Sequence, residues 1–156
     1  MVNQTHCRVT EANTASIICC IEAPLPLGEH RVYVHVKNQG FAINGNGSNV
    51  LLHVAPKLSA VVPSVIPQTG DHLVTLTGVR LDGTTAVAFG SHMCPILTSN
   101  STTIRCEAPP LLDNVSMKNV SINIGQRWIT FSDCILYNSS LNPVIISISP
   151  NTSSTA

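Results

Sequence analysis

Cys94-Pro-Ile-Leu-Thr-Ser-Asn-Ser-Thr-Thr-Ile-Arg-Cys106-Glu-Ala-Pro109 has a counterpart 87 residues upstream. That counterpart is Cys7-Arg-Val-Thr-Glu-Ala-Asn-Thr-Ala-Ser-Ile-Ile-Cys19-Cys20-Ile-Glu22-Ala-Pro24. Cys7 lies 12 residues before Cys19, and Cys94 lies 12 before Cys106. Thr14-Ala-Ser-Ile17 parallels Ser101-Thr-Thr-Ile104, and the Glu-Ala-Pro blocks correspond with a slip of two residues. A shared spacing in two places is an internal repeat, and a repeat has to be recognised before a fold is assigned.

The same offset recurs on either side. Pro56 maps to Pro143 and Pro63 to Pro150, and Val32-x-Val34-x-Val36 corresponds to Val120-x-Ile122-x-Ile124 with a slip of one. Residues 56–142 therefore read as one complete unit. Residues 1–55 read as the C-terminal part of a preceding unit, and 143–156 as the opening strand of a further one. On this reading the chain is a segment of a longer array and Met1 is not a natural start.

The apolar period within a unit is two. In His30-Arg-Val-Tyr-Val-His-Val-Lys37 the valines face one way, and Tyr33 and His35 the other. Asn119-Val-Ser-Ile-Asn-Ile-Gly125, Leu73-Val-Thr-Leu-Thr-Gly78 and Ala86-Val-Ala-Phe-Gly90 are further short strands. Thr69-Gly70-Asp71, Asp82-Gly83 and Asn44-Gly45-Asn46-Gly47 are turn signals between strands. No stretch has helical spacing with caps. Short, closely spaced strands predict an all-β chain, with one antiparallel β-sandwich per repeat.

Composition narrows the function classes. The chain has 156 residues, eight Lys+Arg against eight Asp+Glu, 10% charged and 44% hydrophobic residues. Zero net charge without a basic stripe argues against a nucleic-acid partner, since phosphate affinity rests on clustered Lys and Arg. The chain is too apolar and too weakly charged for a disordered segment. It has no apolar run of the ~20 residues that a membrane span needs, so no membrane contact is expected of this segment. Its first residues lack the basic and apolar regions of a signal peptide.

Asn, Ser and Thr supply the polarity that charge does not. Seven of 13 Asn stand in Asn-x-Ser/Thr: Asn3, Asn46, Asn100, Asn114, Asn119, Asn138 and Asn151. Ser and Thr make up 30 of 156 residues, so chance would place only two or three Asn in that motif. The excess predicts N-linked glycans and an extracellular surface wetted by them. A coincidental origin in Ser/Thr/Asn-rich turns is the duller alternative.

The unit runs Pro-x-Leu/Ile, Leu73-Val-Thr-Leu-Thr-Gly78, Val87-Ala-Phe-Gly90, Cys94, Thr103-Ile-Arg-Cys106-Glu-Ala-Pro109, an alternating strand, and Ile135-Leu-Tyr137. This pattern resembles the IPT/TIG domain, an immunoglobulin-like sandwich. The cysteine pairs, sequon density and short linkers resemble the tandem repeats of fibrocystin-like ectodomains. Plexins and growth-factor-receptor relatives carry similar domains. The stretch after Pro63 departs from the pattern, with Ser-Val-Ile-Pro67 where a nearby Gly is usual.

Repeated spacing pairs Cys7 with Cys19 and Cys94 with Cys106. The Ala-Pro block favours Cys7–Cys20 as a competing register, and neighbouring strand residues face opposite ways, so Cys19 and Cys20 cannot both serve one bridge. Cys20 and Cys134 have no repeat counterparts. A bridge between them, free thiols and intermolecular pairing all stay open.

Nothing in the sequence nominates catalysis. His6, His30, His35, His53, His72 and His92 form no zinc motif. His92 beside Cys94 is accounted for by the cysteine repeat, and Asp71 and Asp82 sit in turns. There is no nucleophile elbow, no phosphate-cradling loop and no calcium loop. No enzyme, cofactor or metal is expected. Trp128, in Gly125-Gln-Arg-Trp-Ile129, is expected to cap the sandwich end, with an exposed partner contact as the alternative. The resemblance implies a non-enzymatic segment of a single-pass receptor-like or adhesion protein, acting as a rigid spacer and protein-binding array. An intracellular Rel-type DNA-binding or dimerisation domain fits the charge, cysteines and sequons less well. A starch-enzyme accessory domain would need an exposed aromatic pair.

Overall fold

The computed structural model describes residues 5–42, 50–111, 116–147 and 149. The chain divides into two compact units, residues 1–55 and 56–156. The second unit is a two-sheet sandwich. Its strands are β7 (Lys57–Val62), β8 (Val65–Pro67), β9 (His72–Val79), β10 (Thr84–Phe89), β11 (His92–Cys94), β12 (Ile96–Ser99), β13 (Thr103–Ala108), β14 (Ser116–Ile124) and β15 (Arg127–Asn138). One sheet has the order β12-β13-β9-β7 and the other β11-β10-β14-β15-β8. A 3-10 turn over Ser139–Leu141 follows β15.

The alternation read from sequence sets the core. On β9 Val74 and Leu76 turn inward, and on β13 Ile104 and Cys106 do. From the facing sheet come Val87 and Phe89 on β10, Val120 and Ile122 on β14, and Ile135 and Tyr137 on β15. All ten are fully or almost fully buried, and burying large side chains like Phe89 or Ile122 contributes roughly 1.5–3 kcal/mol each before the entropy cost of ordering.

The stretch around Pro63 is where the chain changes sheets. β7 pairs with β9 in the four-stranded sheet, the Val62–Pro63 peptide bond is cis, and β8 then runs parallel to β15 in the other sheet. Proline withholds a backbone donor from a ladder, so it is confined to edges, and both β7 and β8 are edge strands.

The first unit has β1 (Cys7–Ala12), β2 (Ile17–Ile21), β3 (Gly28–Val32), β4 (His35–Val36), β5 (Gly40–Phe41) and β6 (Val50–Val54). They form three two-stranded pairs, β1-β2, β3-β6 and β4-β5. The β1-β2 pairing repeats the β12-β13 pairing at three positions. Val9 faces Cys19 as Ile96 faces Cys106, Glu11 faces Ile18 as Thr98 faces Arg105, and Ala12 faces Ile17 as Ser99 faces Ile104. The bulge repeats as well, between Val9 and Glu11 and between Ile96 and Thr98. The turn beyond the strands is also shared. Asn13 Oδ1 accepts from the N–H groups of Ala15 and Ser16, and Asn100 Oδ1 from those of Thr102 and Thr103, all at 2.8–2.9 Å. An Asx turn of this kind lets the side chain stand in for a backbone acceptor.

What the two units do not share is burial. Ile17 is 47% exposed and Val32 42%, whereas their counterparts Ile104 and Val120 are fully buried. In the second unit β9 pairs along β13, and β10 along β14; neither β2 nor β3 has such a third strand among the described residues. Residues 143–147 form no strand, and Val144, Ile145 and Ile146 are exposed.

Candidate functional site

The titratable residues do not converge. Among the described residues no group of three His, Cys, Asp or Glu could hold a metal ion. Asp71 adopts a left-handed backbone in the turn before β9, and Asp82 sits in the exposed turn before β10. Glu22 takes a 2.7 Å ion pair from Arg8, and Glu29 lies 3.5 Å from the His53 ring across the β3-β6 pair. Both pairs are solvent-exposed, where ion pairs contribute little. His35 is exposed and sets its ring edge-on to Phe41, 5.1 Å away.

The cysteines follow the repeat. Cys7 is bonded to Cys19 and Cys94 to Cys106, each across a Cα separation of 5.6 Å. Cys7 and Cys19 lie in the paired strands β1 and β2, so that bridge closes a hairpin upon itself, whereas Cys94 ends β11 in the five-stranded sheet and Cys106 lies on β13 in the four-stranded one, so the second bridge joins the two sheets. The Cys94–Cys106 bridge is buried in the core, whereas Cys7 and Cys19 are exposed. Cys20 and Cys134 carry free thiols, Cys20 exposed and Cys134 half-buried. Burial raises the Cys134 pKa, with the Asp133 carboxylate adding to the rise against a hydrogen bond from the Val120 backbone.

Three of the seven sequon asparagines fall on described residues. Asn100 is exposed at the tip of the β12-β13 hairpin, where its Oδ1 closes the Asx turn. Asn119 is exposed on β14, and its Oδ1 accepts from the backbone N–H of Asp133 at 3.1 Å. Asn138 is half-buried, and its Oδ1 accepts from the backbone N–H and hydroxyl of Ser140. In each case the bonded atom is the amide oxygen. A glycan attaches through Nδ2, so attachment leaves these bonds intact. Asn3, Asn46, Asn114 and Asn151 lie outside the described residues.

Trp128 stands on the outer face of the five-stranded sheet, not over the sandwich end. The turn at Gly125 and Gln126 sets it opposite Asn123 on β14. Ile122 and Ile124 point inward, so Asn123 and its partner point outward, and Trp128 is 50% exposed. Phe41 holds the matching place in the first unit, opposite His35 across the β4-β5 hairpin, and is 70% exposed. That correspondence escaped the sequence reading, although Phe41 and Trp128 are separated by the repeat offset of 87.

Comparison with known proteins bears on the second unit first: the IPT/TIG domain pattern matches residues 56–137. Mouse fibrocystin is 40% identical over 157 residues, covering 99% of this chain and 4% of that protein. Dog fibrocystin is 39% identical over 158 residues, covering 100% and 4%. The chain thus spans only a small fraction of the length of these relatives. Among solved structures, the full extracellular region of plexin A4 superimposes with a TM-score of 0.53 at 20% identity, covering 94% of this chain and 13% of that one. That likeness speaks to fold alone. With the family pattern running from Pro56 to Tyr137, through the Cys94–Cys106 hairpin and both sheets of the sandwich, the chain belongs to the IPT/TIG domain family.

Proposed function

We propose that this chain is a non-catalytic extracellular segment of a large receptor-like or adhesion membrane protein, serving as a rigid spacer and a protein-binding array. The observation that carries this reading is the duplicated hairpin, with the same register, bulge, Asx turn and disulfide in both units. Disulfides persist in oxidising compartments, and identity to fibrocystin over nearly the whole chain points the same way. The domain reading proposed with it is a complete unit over 56–142, the C-terminal part of another over 1–55, and the first strand of a third over 143–156. The open apolar positions of the first unit, beside their buried counterparts in the second, support that division.

The test is secretion of the chain from mammalian cells, with mass measured before and after glycosidase and after alkylation with and without reductant. The reading expects loss of glycan mass and at least four cysteines that alkylate only after reduction. A secreted chain with no glycan and six freely alkylated thiols overturns it. The spacer role is tested by small-angle scattering on a run of consecutive units, whose longest dimension should grow in proportion to their number.

A further inference from the structure

The outer face of the five-stranded sheet carries an unusual set of side chains. Ala88 faces Ser121, which faces Thr130, and Ala86 faces Asn123, which faces Trp128. The hydroxyls of Ser121 and Thr130 bond to each other at 2.9 Å, and the Thr85 hydroxyl donates to Asn123 Oδ1 at 3.0 Å. None of these residues is charged. The charged residues beside these positions are Arg127 next to the turn, Asp133 at the irregularity opposite Asn119, and Lys118 one residue before Asn119. Asn119 is exposed on the strand that carries Ser121 and Asn123. It is four residues from Asn123, roughly 13 Å along an extended strand.

The first unit shows what this face lacks. There the outward aromatic, Phe41, is flanked by two rings, His35 at 5.1 Å and Tyr33 at 6.3 Å, both edge-on. By hairpin register, Asn123 stands where His35 stands, and Ser121 where Tyr33 stands. The second unit thus has a large exposed indole beside small polar side chains, and it alone has a sequon at this place, since Val32 is the counterpart of Val120 and no Asn precedes it. An uncharged surface with hydroxyls, an amide and one aromatic plane suits a neutral polyhydroxyl ring. Sugar C–H groups pack on an indole face while their hydroxyls reach polar neighbours.

We propose that the N-glycan on Asn119 lies along this sheet face and packs one of its first sugar rings on Trp128. The inference rests on the glycosylated, extracellular reading above. Attachment forms a bond from Asn119 Nδ2 to the anomeric carbon of a lipid-pyrophosphate-linked oligosaccharide, with the lipid pyrophosphate leaving and one amide proton released. The bond from the Asp133 N–H holds Asn119 Oδ1 and so fixes the direction in which Nδ2 presents the sugar. The glycan takes the place that protein rings occupy in the first unit.

Trp128 is the chain's single tryptophan, so its emission reports on this site alone. The experiment uses the secreted, glycosylated chain, with occupancy of Asn119 established by peptide mass. Emission and acrylamide quenching are compared before and after native enzymatic deglycosylation, and in Asn119→Gln and Asn100→Gln. Loss of the Asn119 glycan should move the emission to longer wavelength and strengthen quenching, and Asn100→Gln should change neither. In Trp128→Ala, glycosidase should release the Asn119 glycan faster than from the parent. An occupied Asn119 with unchanged emission, quenching and release rate overturns the packing while leaving the glycosylated reading intact. An unoccupied Asn119 in the mass spectrum overturns both at this position.

Discussion

The hydroxyl of Tyr137 donates a 3.0 Å hydrogen bond to the carbonyl of Pro109. Tyr137 is near the end of β15, in the five-stranded sheet, and Pro109 follows directly on β13, in the four-stranded one. The bond thus ties the two layers together at one end of the sandwich, with the ring buried in the core. Removing the hydroxyl leaves the carbonyl short of a donor, so Tyr137→Phe should destabilise the second unit by about 1–2 kcal/mol in urea unfolding. An unchanged midpoint would show that water satisfies Pro109 equally well.

The same burial gives a pH dependence. Desolvation pushes the Tyr137 phenol above its ordinary value, because a buried phenolate is disfavoured. With the folded pKa raised, the contribution is complete below the unfolded value of about 10 and is lost as pH rises above it. The stability gap between the parent and Tyr137→Phe should therefore be constant from pH 7 to 9 and shrink at higher pH. A gap that persists undiminished well above pH 10 would contradict this assignment.

The repeat was legible because two independent features, a cysteine spacing and a proline spacing, carried one offset, and because outward polar residues on β9 and β14 kept the period of two visible. The strand β8 was not legible. It has three residues, ends on Pro67 and joins its sheet in parallel, so neither alternation nor a turn signal marks it. Trp128 was misplaced for a related reason. Its side of the sheet follows from a two-residue turn and the parity of its partner Asn123, and those are facts of pairing that residue types do not reveal. The shared Asx turn was written in Asn13 and Asn100, yet an asparagine followed by small polar residues is common in loops.

Gly78 is buried where β9 passes the irregularity of β7 between Leu58 and Ala60. A Cβ there would run into the Lys57 carbonyl oxygen, and would lie 3.1 Å from the carbonyl carbon and 3.2 Å from Leu58 Cα. These are backbone atoms of a paired strand and cannot swing aside as a side chain would. Gly78→Ala should therefore cost about 1–3 kcal/mol, in the range of an overpacked core, even though alanine suits a strand at least as well as glycine. Equal stability of Gly78→Ala and parent in thermal unfolding would mean that β7 shifts freely.

The two bridges differ in access and should differ in lability. In the native 156-residue chain a mild thiol reductant meets Cys7 and Cys19 at the surface, whereas Cys94 and Cys106 are at most 2% exposed. Alkylation followed by peptide mapping should label Cys7 and Cys19 at reductant levels that leave the second pair intact. Without reductant, Cys20 should label before Cys134, whose thiol is half-buried and whose pKa is raised by that burial. A thiolate is the reactive form, so the lag of Cys134 should shorten as pH rises. Simultaneous reduction of both bridges would mean that the second unit opens as readily as the first.

Asn100 and Asn13 allow the turn to be separated from the glycan. In protein made without glycosylation, Asn100→Asp keeps an oxygen that accepts from the N–H groups of Thr102 and Thr103, whereas Asn100→Ala removes it. Losing a side-chain acceptor that serves exposed backbone donors costs on the order of 1 kcal/mol, as at helix N-caps. Asn100→Ala should lower the stability of the second unit by that amount, and Asn100→Asp by much less. In glycosylated protein Thr102→Ala deletes the sequon yet keeps the Asn100 Oδ1 bonds to both backbone N–H groups. Its effect there should come mainly from the absent glycan, and in the unglycosylated form only the small loss of the exposed Thr102 hydroxyl contact to Asn100 Oδ1 should be left. If Thr102→Ala proves as harmful as Asn100→Ala without any glycan, the turn depends on the threonine hydroxyl and not on the asparagine oxygen.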